Sequence, residues 1–233
     1  AVANIKGCDE IVALLASLGA LYATLRAFDS GKIVWTIASF LLFFIACMSK
    51  ENAVTYVVVA PLALAFFRNS DRGWGKIIGH SAPLWTAFLL FFVIRGNILD
   101  WRFGGQSTYE LMNNPFLKIQ NNLWVPFSSS EKAATIIFTL GKYLQLLIVP
   151  ITLTSDYYPR EVDMMTFASP KVWLSLLVYG FLTVYALRGI RHRDPVRFGI
   201  LYFLLTVSIV SNVVFPVGTN MSERFIFMPS VGF

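Results

Sequence analysis

Apolar runs punctuate almost the whole chain, at residues 11–28, 33–49, 52–67, 77–94, 133–153, 172–187 and 198–216, with short polar gaps between most of them. A helix crosses the hydrocarbon with about 20 apolar residues at ~1.5 Å rise each, and ~17 is the practical minimum. Several of these runs qualify or come close. None alternates polar and apolar with period two, which argues against a transmembrane β-barrel. The pattern predicts an all-α, polytopic transmembrane helical bundle forming one transmembrane domain over residues 1–233.

Two connections exceed a turn. Residues 95–132 are polar and aromatic, with Asn113, Asn114, Pro115 and the run Ser128-Ser129-Ser130. Residues 154–170 place Asp156, Glu161 and Asp163 beside Tyr157 and Tyr158. Loops of that size without evident structure are usually functional or interfacial. No internal repeat or low-complexity tract is visible.

Composition sharpens the picture. With 56% hydrophobic and only 14% charged residues, the chain is neither an ordinary soluble domain nor disordered, and two Cys cannot staple a disulfide framework. The net charge of +6 gathers in gaps between apolar runs rather than along a basic face. That is membrane topology, not nucleic-acid binding. Arg68, Arg72 and Lys76 mark the loop at about 68–76 as cytoplasmic, and Arg188, Arg191, Arg193 and Arg197 mark that at about 188–197. The loops at about 95–132 and 154–170 then lie outside. Strict alternation fails once, so residues 133–153, with Gly141 and Lys142 at their middle, are expected to be re-entrant or interfacial. The chain begins without Met or a signal-peptide pattern, and residues 228–233 read as the start of another apolar helix. The expectation is a fragment of a longer integral, multi-pass membrane protein.

Polar clusters at helix ends on the external side are the candidate chemistry: Lys6 to Glu10, Ser49 to Asn52, Thr154 to Tyr157 and Asn220 to Arg224. Ionisable groups near hydrocarbon are costly and tend to face a cavity or a partner. Cations and carboxylates converging at one membrane face suit a lipid whose phosphate lies at that depth, the cations holding phosphate and the carboxylates positioning a hydroxyl or a metal. Each cluster also has a plain reading. Lys50-Glu51 would serve as a solvated turn with a snorkelling lysine, Asp9-Glu10 as partners of a helix dipole, and Glu223-Arg224 and Asp156 as loop charges. His80 and His192 share no ligand spacing, so no metal site is assigned. Cys8 and Cys47 do not define a disulfide without geometry. The sequon Asn220-Met221-Ser222 lies too near the membrane for ready glycosylation.

At these clusters the chain resembles the transmembrane and tetratricopeptide-repeat-containing family of O-mannosyltransferase-like proteins and its bacterial relatives. Ala1 to Glu10 resembles the stretch following that family's His-Pro-x-His-Thr-Glu motif, and Ser49-Lys50-Glu51-Asn52 its Lys-Glu motif. Asn114-Pro115 is similar to an Asp-Asn-Pro element, and Leu153 to Tyr157 to a Leu-Ser-x-Asp-Tyr segment. Phe215 to Thr219, Ser222-Glu223-Arg224 and Met228 to Phe233 resemble its Ala-Glu-Arg…Leu-Pro-Ser-x-Gly-Phe signature. The matches are ordered and span nearly the whole chain.

The resemblance implies a GT-C-like glycosyltransferase core. Such enzymes move a sugar, often mannose, from a polyprenyl- or dolichyl-phosphate donor to an acceptor hydroxyl, commonly on protein, at the non-cytoplasmic face of the bacterial inner membrane or the endoplasmic reticulum membrane. By motif, Lys50, Glu51, Glu223 and Arg224 would line the donor phosphate and sugar cavity, with Asp9 and Asp156 as secondary positions. A divalent metal (Mg or Mn) is a candidate cofactor. Cys8 stands where relatives carry Arg. The family's acidic catalytic motif belongs to a loop expected before Ala1, and its later helices and repeats are expected after Phe233, so these residues alone should be inactive. The rival readings are a non-catalytic membrane scaffold for a tetratricopeptide-repeat domain and a lipid or solute transporter. A transporter would favour broken mid-membrane helices and internal repeats.

Overall fold

The computed structural model describes residues 7–68, 73–101, 114–151, 162–188, 194–213 and 217–233. Helices dominate: α1 (Cys8–Ser30), α2 (Ile33–Ser49), α3 (Tyr56–Phe67), α4 (Trp74–Ile98), α5 (Ser129–Ile148), α6 (Pro170–Arg188) and α7 (Pro195–Val210). Three of them, α1, α4 and α6, are long and apolar enough to cross a membrane. On α6, Leu174, Leu177 and Phe181 are 64–69% exposed, a surface that is costly in water and suited to lipid. The described residues are thus mostly helical, and their long apolar helices point to membrane association.

The helix ends follow local chemistry. Asp9 and Glu10 occupy the first turn of α1, where the helix dipole favours anions. Gly31 ends α1 at φ +67° while its N–H reaches Ala27 O, a left-handed cap that costs a glycine little. Asp194 caps α7 by accepting from the Val196 amide, with Pro195 at the first helical position. Ser128 and Glu131 form a reciprocal capping box on α5.

α1 and α2 form an antiparallel hairpin. Ala13, Ala16, Ala20, Ala23 and Ala27 make a small-residue seam on α1 that lets backbones approach. Thr24 Oγ1 and Ser39 Oγ share a buried 2.7 Å hydrogen bond between the two helices. α4 packs on α2 and α3, while α5, α6 and α7 pack in sequence. The main core joins Ala13 and Ala20 of α1, Phe43 of α2, Tyr56 of α3 and Leu84 of α4 to Tyr202 of α7 and to Met228. The first four helices therefore share one core with the C-terminal segment.

The bundle's two ends differ chemically. At one, Arg68 pairs with Asp29 at 2.9 Å, Phe28 packs on His80, and Phe67 meets Phe198 at a 4.9 Å ring separation. The segments flanking both basic loops thus meet, beside the end of α1 and the starts of α4 and α7. The opposite end holds Asp9, Lys50 and Arg95.

Two expectations need correction. The run at 52–67 is not uniformly α: a 3-10 turn, Glu51–Thr55, leads without a break into the 12-residue α3, so that Glu51–Phe67 is one apolar helical segment. The fold is also not purely α. Within the predicted 95–132 loop, β1 (Leu117–Gln120) and β2 (Leu123–Pro126) pair antiparallel, Leu117 opposite Pro126. Asn121 and Asn122 take φ of 53° and 61°, the positive pair that a tight hairpin turn demands.

Candidate functional site

Because α1 and α2 run antiparallel, the start of one lies beside the end of the other. Lys50 leaves α2 in an extended conformation (φ −153°, ψ 136°) while its N–H still bonds Ala46 O. Its ammonium donates to Asp9 Oδ2 at 2.8 Å and stands 2.8 Å from Glu10 Oε1. Ser49 Oγ donates to the Asp9 carbonyl at 3.0 Å, tying the two backbones. Lys50 is 18% exposed, Asp9 39% and Glu10 only 1%. Burial works against the Lys50 charge, but the hydrogen bonds and charges of Asp9 and Glu10 outweigh it and hold its pKa above the ordinary lysine value.

Glu10 is unusual within this trio. Lys50 pairs with Oε1 at 2.8 Å, while Oε2 is buried without a hydrogen-bond partner. Buried carboxylates are normally satisfied several times over.

The second cation arrives from the far end of the chain. Asn212, at φ +61°, accepts from the Val217 amide and donates to Thr219 O, both at 2.8 Å. The Ser222 amide then donates to the hydroxyl of the fully buried Tyr143. These bonds deliver the 3-10 turn Glu223–Ile226, and Arg224 lies close enough to act electrostatically on Asp9. Arg224 is exposed, sits over the Phe225 ring at 5.5 Å, and has no ion-pair partner among the described residues. Two carboxylates and two cations thus gather at one end of the bundle.

The structure brings together Asp9, Lys50 and Arg224, with Glu223 adjacent in the same turn. Glu51 parts from Lys50. It opens the 3-10 turn and pairs with Arg95 of α4 at 3.0 Å, both side chains more than 40% exposed. Asp156 lies outside the described residues. From sequence, Glu10 belongs to the Lys6 to Glu10 cluster but not to the donor-site set, and Arg95 is not singled out. Glu10 is more than a dipole partner, and its signal was a second acid at the mouth of an apolar run. Arg95 offered only a charge at the edge of another.

Among the described residues no three His, Cys, Asp or Glu side chains gather as a metal set. An ammonium between Asp9 and Glu10 is also the opposite of what a divalent cation needs, so the cluster does not fit one as it stands. Cys8 is exposed and Cys47 buried, both as free thiols. Asn220 is 7% exposed and Met221 fully buried, so the folded chain does not present that sequon.

Fold and cluster together define a mostly helical protein with membrane-crossing potential and a charged cluster at one helix-end face. No protein-family model matches the chain, and no curated protein or solved structure matches it.

Proposed function

We propose that the chain is the multi-pass membrane core of a GT-C-like glycosyltransferase that uses a polyprenyl- or dolichyl-phosphate sugar. The observation that supports this reading is the meeting of Asp9, Lys50 and Arg224, residues from three separated motifs, at one end of the bundle. An exposed guanidinium and a half-buried ammonium that both act on Asp9 suit a phosphate at the depth of a lipid head group.

In the proposed reaction an acceptor hydroxyl oxygen attacks the anomeric carbon. The bond from that carbon to the phosphate oxygen breaks, and its electron pair leaves on the phosphate. Arg224 and Lys50 offset the charge developing there, and the hydroxyl proton passes to a carboxylate. Glu223 lies beside this path. Glu51, turned toward Arg95, supports the rim rather than the phosphate. Mannose is the proposed sugar and a protein hydroxyl the proposed acceptor.

The test uses membranes carrying the full-length protein, radiolabelled polyprenyl-phosphate mannose and a pool of secreted acceptor proteins. Label should move from lipid to protein in the wild type and vanish in Arg224→Ala at equal amounts of folded protein. No transfer from any lipid-linked sugar would turn the reading to a non-catalytic scaffold. One observation favours that second reading: Lys50 is already engaged by two carboxylates, as in a purely structural ion cluster.

A further inference from the structure

The carboxylate of Glu10 lies at the base of the charged cluster, 1% exposed, with Oε1 2.8 Å from the Lys50 ammonium and Oε2 lacking a hydrogen-bond donor. Asp9, its neighbour, has both a donor and the field of Arg224. Acceptors kept buried and unsatisfied at a charged face are placed to receive donors from something that binds there.

We infer that Glu10 receives a hydroxyl of a phosphorylated sugar while Arg224 takes its phosphate. This rests on the lipid-phosphate reading above and names the group that would read the sugar itself. The missing partner must be a donor, because an ionised carboxylate only accepts. It should also be uncharged, since the ammonium at Oε1 and the nearby guanidinium disfavour a further cation. A hydroxyl meets both conditions. Arg224, lacking an ion pair among the described residues, supplies the matching site for an anion. A ligand with hydroxyls on one side and a phosphate on the other satisfies both residues at once.

The test is binding to the full-length protein in lipid nanodiscs. The probes are polyprenyl-phosphate sugars (mannose, glucose, N-acetylglucosamine), bare polyprenyl phosphate and mannose 1-phosphate. One sugar lipid should bind about tenfold tighter than the bare lipid phosphate, the magnitude of one hydrogen bond to a charged acceptor. Glu10→Gln should erase that difference. Should Glu10→Gln not fold, wild-type protein with monodeoxy versions of the preferred sugar lipid decides: removal of one hydroxyl should lower affinity to the bare-lipid level. Comparable binding of mannose 1-phosphate would identify a soluble sugar phosphate as the source, and its absence a lipid. Sugar preference retained in Glu10→Gln, or equal binding of every monodeoxy form, would overturn the inference. Equal wild-type binding of bare and sugar-bearing lipids would overturn it while leaving the phosphate reading intact. Binding of none of the probes would overturn both.

Discussion

The hydroxyls of Tyr56 and Tyr202 share a 2.5 Å hydrogen bond inside the core, linking the first turn of α3 to α7 across 146 positions of sequence. Their rings meet edge to face, with exposures of 0% and 2%. The bond joins α3, which follows Lys50 through the 3-10 turn, to α7, against which the turn carrying Arg224 packs.

Removing one hydroxyl leaves the other buried without its partner. Tyr56→Phe should destabilise the protein by about 1–3 kcal/mol, and Tyr202→Phe similarly. The Tyr56→Phe/Tyr202→Phe double variant should lose less than the two singles combined, because no orphaned hydroxyl remains. Denaturant unfolding of detergent-solubilised protein measures the cycle. Strictly additive losses would show that the bond itself contributes nothing.

Lys50 answers for two carboxylates, one of them fully buried. Lys50→Ala should cost about 3 kcal/mol, the scale for removing one partner of a buried ion pair. Adding Glu10→Gln should restore much of that loss, since the uncompensated charge goes with it. Glu51→Ala should change stability by less than about 1 kcal/mol, because its pair with Arg95 is exposed. Thermal melts of the four proteins in one detergent check the ordering. Equal losses for Lys50→Ala and Glu51→Ala would mean the cluster is solvated.

Much of the helical layout was legible in the apolar runs: α2 has the bounds read from sequence, and α1, α4 and α6 extend theirs by a few residues. Periodicity failed where local geometry decides. After Lys50 the chain tightens into a 3-10 turn, in which Thr55 Oγ1 bonds Asn52 O. The β-hairpin was hidden because its strands are four residues each, although Asn121-Asn122 between apolar alternations marked it. At the site, sequence placed Asp9, Lys50 and Arg224 at one face. It could not show that successive residues part company, Lys50 toward α1 and Glu51 toward α4. That choice depends on helix packing.

The C-terminal turn is held against α7 by glycines. A Cβ on Gly199 would strike the Gly232 carbonyl, and one on Gly232 the Gly199 carbonyl and the Tyr202 ring. Since backbone, not a flexible side-chain end, stands in the way, Gly199→Ala should cost about 1–3 kcal/mol by displacing residues 229–232. Proteolysis near Phe227 in detergent should accelerate in Gly199→Ala and not in Gly180→Ala, where space is open.

Glu131 offers a pH test away from the hydrocarbon. Lys118 Nζ contacts both its oxygens at 2.7 and 2.9 Å, and the Ser128 amide donates to Oε2 at 2.7 Å. The Lys118 hydrogen bond first, and the Ser128 amide second, pull its pKa from 4.5 down to about 2. A folded-state pKa below the unfolded one means the carboxylate steadies the hairpin–α5 junction fully above about pH 4.5. That contribution then fades as pH falls and is gone below about 2. Amide exchange at Ser128 and Glu131, corrected for intrinsic rates, should show protection unchanged down to about pH 4.5 and lost progressively below it. Glu131→Gln should flatten this dependence, because the neutral amide neither titrates nor holds Lys118. A wild-type profile already flat over the same range would mean that the Lys118 pair and the capping box do not order the start of α5.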